Sequence, residues 1–189
     1  MHAASTRDRL LQDAERLVRI RGYAGFSYAD LAERVGIRKA SIHHHFPTKD
    51  ALGEALVETY RQRFRDLLAG IADAEPDAAA RLAAYGRLYV ASVTQGMGCL
   101  CGVLASDLDL LPEPLRRTVA GFFGDQLAWL RAVLREGIAR GELRPGGSPD
   151  RIASHVLGAF QGASFVALAL GDVGHLEATI EELLRGLRP

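Results

Sequence analysis

The spacing of the apolar residues constrains the fold of this chain more than any other feature of its sequence. In the first segment Leu10, Ala14 and Leu17 recur at intervals of four and three residues, which places them on one face of a helix. Helical spacing continues along the chain, and we find no alternation of apolar and polar residues of the kind that marks a half-buried strand. The sequence therefore predicts an all-α fold of about nine helices.

Glycine, proline and capping residues mark where these helices begin and end. The first helix is expected to start near Thr6, a possible cap, and to end at Gly22. A two-turn helix follows, capped by Ser27 and ended by Gly36, and Thr48 can cap a long helix that runs to about residue 71. The other helices are predicted at about 39–45, 77–95, 99–109, 113–140, 149–170 and 174–187.

The first fifty residues form a basic region in a chain that is neutral as a whole. The 189 residues include 23 Lys and Arg against 23 Asp and Glu, but residues 1–50 hold nine of the former and six of the latter. Hydrophobic residues make up 48% and charged residues 24%, which excludes a disordered tail or a disulfide-stapled miniprotein. The local positive charge indicates an anionic partner at this end.

Residues 27–46 have the pattern of a helix-turn-helix: a short capped helix, a turn with a glycine, and a second short helix. In this motif the second helix enters the major groove of DNA. Leu31, Val35 and Ile42 are expected to pack this unit onto the first helix. The remaining side chains point outward and can donate to phosphates and base edges: Arg38, Lys39, Ser41, His43 and His44.

Residues 6–55 resemble the DNA-binding domain of the TetR (tetracycline-repressor-like) family of bacterial regulators. The matching residues are collinear: Gly22-Tyr23, Ser27, Asp30-Leu31-Ala32, Val35-Gly36-Ile37, Lys39-Ala40-Ser41-Ile42 and His44 to Leu52. The resemblance implies a three-helix DNA-binding domain over 1–50 and a larger helical domain over 51–189 that binds a ligand and dimerises.

The same resemblance implies roles for single residues. Ser27 and Thr48 correspond to helix caps close to phosphate, and Lys49 to a contact with the DNA backbone. His43 stands where the family usually has Tyr, and Arg38 where a small polar residue is common. Arg38 can bind guanine bidentately or bind a phosphate, and the sequence does not decide between these.

The run His43-His44-His45 does not predict a metal site. Successive residues of a helix point about 100° apart, so three in a row cannot converge on one ion. We expect His45 to pack or cap, and His43 and His44 to face DNA. No cofactor is predicted.

The last two helices, at about 149–170 and 174–187, are candidates for a homodimer interface. Helix-turn-helix proteins normally bind two half-sites as dimers, which predicts a palindromic operator. Gly158 and Gly162 lie four residues apart and would let another helix approach closely. The family commonly dimerises through these helices; packing within a monomer core is the alternative.

A ligand pocket is harder to place from the sequence. The bulky or amphipathic candidates in the central helices are Tyr85, Tyr89, Met97, Phe122, Phe123, Trp129, Gln161 and Phe165. Most aromatic residues at helical spacing simply form core. The scarcity of charge in this region favours a neutral, apolar or electrophilic small-molecule inducer.

Cys99 and Cys101 lie at a predicted helix start, where the helix dipole can stabilise a thiolate. Some relatives with Gly-Cys-Leu at a similar place resemble sensors of electrophiles or oxidants. Three alternatives stay open: a sensor, two small buried hydrophobic side chains, or a metal site that lacks further ligands nearby.

The main hypothesis is a homodimeric repressor that a small inducer releases from its operator; the alternative is a DNA-binding regulator without a small-molecule ligand. An enzyme is not expected, because Cys99 with His155 would be the minimal nucleophile pair and no catalytic motif accompanies it. The uncharged stretches 88–106 and 152–171 are interrupted by glycine or polar residues, so we expect no membrane segment. The first residues have no apolar run and predict no secretion signal. Cys99 and Cys101 are too close in sequence to form a stabilising disulfide, and reduced thiols indicate a cytoplasmic location.

Overall fold

The computed structural model describes residues 5–189. The prediction that the chain begins without a secretion signal concerns residues 1–4 in part, and these lie outside the described residues. Nine α-helices and one 3₁₀ turn form all the regular structure of the described residues, which confirms the all-α prediction and the number of helices. The helices are α1 (Thr6–Arg21), α2 (Tyr28–Val35), α3 (Lys39–His45), α4 (Lys49–Ala74), α5 (Ala78–Thr94), α6 (Leu100–Ser106), α7 (Glu113–Ala139), α8 (Pro149–Leu170) and α9 (Val173–Leu187). The helix predicted at 99–109 is instead divided into α6 and the 3₁₀ turn Leu108–Leu110.

The first helix is capped by Ser5, so the prediction of Thr6 as its cap is wrong. The Ser5 hydroxyl accepts from the Asp8 amide at 3.1 Å, and the Asp8 carboxylate accepts from the Ser5 amide at 3.2 Å. This reciprocal capping box needs an acidic or amide side chain three residues after the cap. Asp8 has that spacing from Ser5, whereas the residue three positions after Thr6 is Arg9.

Two compact units divide the described chain. The first contains the described residues up to Gln62 together with Leu100–Phe122. Its core includes Leu10 from α1, Leu31 from α2 and Ile42 from α3, all fully buried. These three side chains hold the helix-turn-helix on α1, as the sequence pattern predicts.

The turn of the helix-turn-helix is tied to α1 by polar contacts. Gly36 ends α2 in the left-handed conformation, at φ +75°, where residues with a side chain are strained. Arg9 of α1 donates to the Val35 carbonyl at 2.8 Å, and Arg34 pairs with Asp13 at 2.6 Å. The Arg9 contact satisfies one of the carbonyls that the end of a helix leaves without an intrahelical partner.

The second unit contains Arg63–Cys99 and Phe123–Pro189. Its core brings together fully buried side chains such as Tyr85 of α5, Phe160 of α8 and Leu176 of α9. Glycine permits a close approach of α5 to α9, since a Cβ on Gly86 would lie only 2.9 Å from the Ile180 Cγ2.

By length and composition alone, α8 could cross a membrane, and it is the one such helix among residues 5–189. The most apolar window of α8 is 39% buried within the protein. This is weak evidence for a membrane span, because core helices of soluble proteins meet the same criterion.

Candidate nucleic-acid interface and internal polar cluster

The third helix presents an exposed polar face. Ile42 is its one buried residue and fixes which side of α3 faces the core. Arg38 is the N-cap residue, just before the helix, and carries no side-chain cap bond. The structure brings the five side chains predicted to contact DNA together on this exposed segment: Arg38, Lys39, Ser41, His43 and His44.

Ser27 and Thr48 each cap the helix that follows them. The Thr48 hydroxyl accepts from the Ala51 amide at 3.1 Å, which satisfies one of the first amides of α4. The Ser27 amide and hydroxyl both donate to the Asp30 carboxylate, at 2.7 and 2.5 Å. A phosphate at Ser27 would therefore have to replace one of these two bonds.

The Lys49 ammonium is bound within the protein rather than extended into solvent. It donates to the Phe26 carbonyl at 2.6 Å and lies 4.3 Å from the centre of the Phe26 ring and 4.9 Å from that of Tyr23. Burial lowers the pKa of Lys49, while the carboxylates of Asp50 and Asp30 oppose that shift. Lys49 thus joins the start of α4 to the loop between α1 and α2, and its contact with DNA stays a prediction.

Tyr28 fixes the turn between α3 and α4, a role that the sequence analysis missed. Its buried hydroxyl lies 2.9 Å from the Phe46 carbonyl and 2.6 Å from the Thr48 carbonyl. Burial raises the pKa of Tyr28 to about 12, so the hydroxyl remains a donor at neutral pH. The only available signal was a large aromatic residue directly after the Ser27 cap.

His43 is held between this turn and the Tyr28 ring. Its Nδ1 lies 3.1 Å from the Pro47 carbonyl, and its ring centre lies 4.9 Å from that of Tyr28 at an interplanar angle of 61°. The side chain is nevertheless exposed. His44 and His45 contact each other edge to face, with ring centres 5.5 Å apart.

The core of the second unit contains a polar cluster, formed by Tyr85, Tyr89 and Gln126. The Tyr85 hydroxyl donates to the Gln126 Oε1 at 2.6 Å, and the Tyr89 hydroxyl lies 3.3 Å from the same oxygen. The rings of Trp129 and Phe160 lie against Tyr85, with centres 5.6 and 5.9 Å away. The structure therefore brings three predicted pocket residues, Tyr85, Tyr89 and Trp129, into contact around an amide.

One polar atom of this cluster is buried without a hydrogen-bond partner among residues 5–189. Gln126 is 1% exposed, and its Nε2 has no acceptor, although Oε1 has two donors. The sequence analysis missed Gln126. A signal existed, because Gln126 continues the apolar stripe of Val119, Phe122 and Leu130, where a polar residue is unusual.

The other predicted pocket residues are more scattered. Gln161 has a buried amide that has no hydrogen-bond partner within the described part of the chain. Phe123 packs at the edge of the core, and Met97 is half-buried. Phe165 is 40% exposed on α8. Phe122 belongs to the first unit, where its ring centre lies 5.3 Å from that of Tyr60.

Both cysteines are buried thiols. Cys99 immediately precedes α6 and is 6% exposed, whereas Cys101 is fully buried. His155, which would be the partner of Cys99 in a catalytic pair, is exposed on α8. Residues 5–189 contain no group of three or more His, Cys, Asp or Glu side chains placed to hold a metal ion.

An all-helical chain whose second and third helices form a helix-turn-helix, with an exposed polar recognition helix, has the architecture of a DNA-binding protein. Residues 10–56 match the model of the bacterial regulatory proteins of the tetR family, and residues 78–183 match that of the tetracyclin repressor-like C-terminal domain. The chain belongs to the TetR family, whose members bind DNA and typically dimerise.

Similar proteins span nearly the same length. The chain is 26% identical to the transcriptional repressor DhaR of Mycobacterium sp. strain GP1, over 86% of this chain and 82% of that one. It is 27% identical to the nucleoid occlusion factor SlmA of Marinobacter nauticus, over 96% and 97%. A solved TetR-family transcriptional regulator from Agrobacterium tumefaciens is 36% identical over 97% of each chain, with a TM-score of 0.94. The TetR-family relatives indicate a transcription factor.

Proposed function

We propose that this protein is a cytoplasmic homodimeric repressor that a small neutral molecule releases from a palindromic operator. In this proposal residues 1–50 bind DNA, and residues 51–189 dimerise and bind the inducer. The observation that carries the proposal is the exposed polar face of α3, held in place by Tyr28 and by the Arg9 contact with the Val35 carbonyl.

The charge and shape of α3 support the DNA-binding part. Lys39 and Arg38 provide cationic donors, while Ser41 and the two histidines provide further hydrogen-bonding groups that suit base edges. A rigid recognition helix binds with less loss of conformational freedom than a mobile one. The caps at Ser27 and Thr48 lie at the starts of α2 and α4, where backbone amides favour an anion such as a DNA phosphate.

The exposed apolar face of α8 supports the dimer. Phe165 is 40% exposed, Val166 44% and Leu170 64%. Gly158 and Gly162 are exposed as well, and a Cβ added to either would meet nothing within 4 Å. An apolar face with two glycines allows close packing against the same face of a second copy, as a two-fold interface requires.

Gln126 supports an inducer with a hydrogen-bond acceptor. A buried donor without a partner costs about 1–3 kcal/mol, which a ligand carbonyl facing Nε2 would recover. The surrounding groups, Tyr85, Tyr89, Trp129 and Phe160, are uncharged. A charged ligand would lose its hydration there without a counter-ion, so we propose a neutral one.

A regulator without a small-molecule ligand is the second candidate. One relative that matches over 96% of this chain is named a nucleoid occlusion factor, and that name refers to no small-molecule inducer. A similar chain can therefore have a function other than ligand-controlled repression. In that case the Gln126 amide would be a structural feature only.

The operator and the dimer can be tested together. Selection from random duplex DNA should enrich a palindrome, because two copies present two α3 helices. Leu170→Glu should yield monomers by light scattering and weaken operator binding. Leu110→Glu is the matched control, since Leu110 is 61% exposed but lies outside α8. Binding without a consensus sequence would refute sequence-specific regulation.

The inducer site can be tested by the fluorescence of Trp129, the one tryptophan of the chain. Acetophenone and ethylbenzene are similar in shape, but only the first has a carbonyl acceptor. We expect acetophenone to bind about tenfold more tightly, the value of one hydrogen bond near 1.4 kcal/mol. Gln126→Leu should remove that difference. Equal affinities in the unsubstituted protein would exclude Gln126 as the anchor, and binding of neither compound would favour the alternative without a small-molecule ligand.

A further inference from the structure

The Pro47 carbonyl determines which nitrogen of His43 carries the proton. A carbonyl oxygen only accepts hydrogen bonds, so the Nδ1 that lies 3.1 Å from it must be the donor. A neutral imidazole has a single N–H. Its other nitrogen, Nε2, is then an acceptor, and it faces away from Pro47 because the two nitrogens lie on different sides of the ring.

We propose that His43 presents Nε2 as a hydrogen-bond acceptor to the major groove and so selects adenine or cytosine at one position of each operator half-site. The inference rests on the proposed function, in which α3 enters the groove. Only adenine, through N6, and cytosine, through N4, offer amino donors there. Guanine and thymine present acceptors at the corresponding edge, which would oppose the Nε2 lone pair.

The surroundings of His43 hold the ring in this orientation. The Tyr28 ring packs against it, and the Tyr28 hydroxyl is itself fixed by the Phe46 and Thr48 carbonyls on both sides of Pro47. The Pro47 carbonyl, which accepts from Nδ1–H, and the Tyr28 ring, which limits rotation of the imidazole, are therefore linked through the hydrogen bonds of the Tyr28 hydroxyl. A side chain oriented before binding selects bases more sharply than one that rotates freely.

His43 thus differs from Lys39 and Ser41 of α3 and from Arg38, the residue that precedes the helix. Arg38 and Lys39 are donors only, and the Ser41 hydroxyl can donate or accept. Among these side chains, neutral His43 alone combines a fixed ring with an outward group that only accepts. This chemistry is opposite to the arginine–guanine contact that is the most common specific contact with DNA.

The test is selection from random DNA at about pH 8, where histidine side chains are uncharged. When the selected sequences are aligned, the unsubstituted protein should enrich A or C in one column, which is one base position, of each half-site. His43→Phe keeps an aromatic ring but should lose that preference, and His43→Arg should shift it to G. His45→Phe is the matched control and should leave this column unchanged, because the half-buried His45 lies outside the five side chains predicted to contact DNA.

A second experiment uses the preferred operator with one amino group removed. Replacing the contacted adenine by purine, or the cytosine by 2-pyrimidinone, should weaken binding of the unsubstituted protein about fivefold, the value of a single hydrogen bond. His43→Phe should be insensitive to the same change. Nitrogen-15 NMR should also find the proton of the neutral ring on Nδ1.

The outcomes separate the two proposals. If no protein version selects a palindrome, the proposed function fails. If a palindrome is selected but the column that depends on His43 prefers G or T, or no column depends on His43, the proposed function survives and this inference is overturned.

Discussion

Removal of the Tyr28 hydroxyl tests how much the turn between α3 and α4 contributes to stability. Tyr28→Phe leaves the buried ring in place, so no cavity forms and only the polar contacts change. The hydroxyl approaches two carbonyls, at 2.9 and 2.6 Å, but it has one hydrogen to donate. The loss is therefore that of one shared hydrogen bond.

After the substitution, one of the two carbonyls keeps another hydrogen-bond donor and the other loses the donor that Tyr28 provided. The Thr48 oxygen still accepts from the Leu52 amide of α4 at 3.1 Å. The Phe46 oxygen lies in a buried contact and is left without the Tyr28 donor. A lost hydrogen bond of about 1 kcal/mol plus partial desolvation of one carbonyl gives about 1.5–2 kcal/mol in all. For a chain of this size that lowers the melting temperature by about 3–8 °C.

Urea unfolding followed by circular dichroism at 222 nm measures this difference. Ser41→Ala is the control, since it removes an exposed hydroxyl of α3 and should change the free energy of unfolding by less than about 0.5 kcal/mol. Operator binding should weaken as well, because the same turn supports His43. If Tyr28→Phe unfolds at the same urea concentration as the unsubstituted protein, the hydroxyl does not hold the turn and the argument fails.

Two further predictions concern packing and alkaline pH. Gly137→Ala should destabilise by about 2 kcal/mol or more through overpacking, because the new Cβ would overlap the Ala78 Cβ. Gly124→Ala in the same helix meets nothing within 4 Å and should stabilise by about 0.5–1 kcal/mol; urea titration of both variants checks the contrast, and equal effects would contradict it. The pKa of Tyr28 is raised from 10.0 to about 12 by burial, so its contribution is complete below pH 10 and is lost as pH rises through 12. The unfolding midpoint in urea should therefore fall between pH 9 and 12, and it should fall less in Tyr28→Phe.

Features set by neighbouring residues in the sequence could be predicted, and features set by distant contacts could not. The Ser27 cap, the Gly36 stop and the bounds of α3 follow from local spacing and agree with the structure. The role of Tyr28 depends on carbonyls 18 and 20 residues further along, and sequence spacing says nothing about such contacts. Gln126 was missed for the same reason, since its two donors lie 41 and 37 residues away.

The local errors also have a physical cause. Ser5 and Thr6 are both good capping residues, and only the side chain three residues later distinguishes them. A preference for one residue type cannot resolve neighbours of equal propensity. The roles of Lys49 and Ser27 in DNA binding stay predictions, because both side chains make internal contacts in the structure.

The discontinuity of the first compact unit has a consequence for synthesis on the ribosome. The unit combines the segment ending at Gln62 with Leu100–Phe122, and Gly53 of the early part packs against Leu115 of the later one, with a Cβ position 3.0 Å from its Cδ2. The early helices therefore emerge well before the leucines that complete their core. Until then the nascent chain exposes apolar surface, and a fragment cut after residue 62 would retain it permanently. Expression of the DNA-binding segment alone should yield a poorly soluble product, whereas a chain extended through residue 122 supplies the missing core.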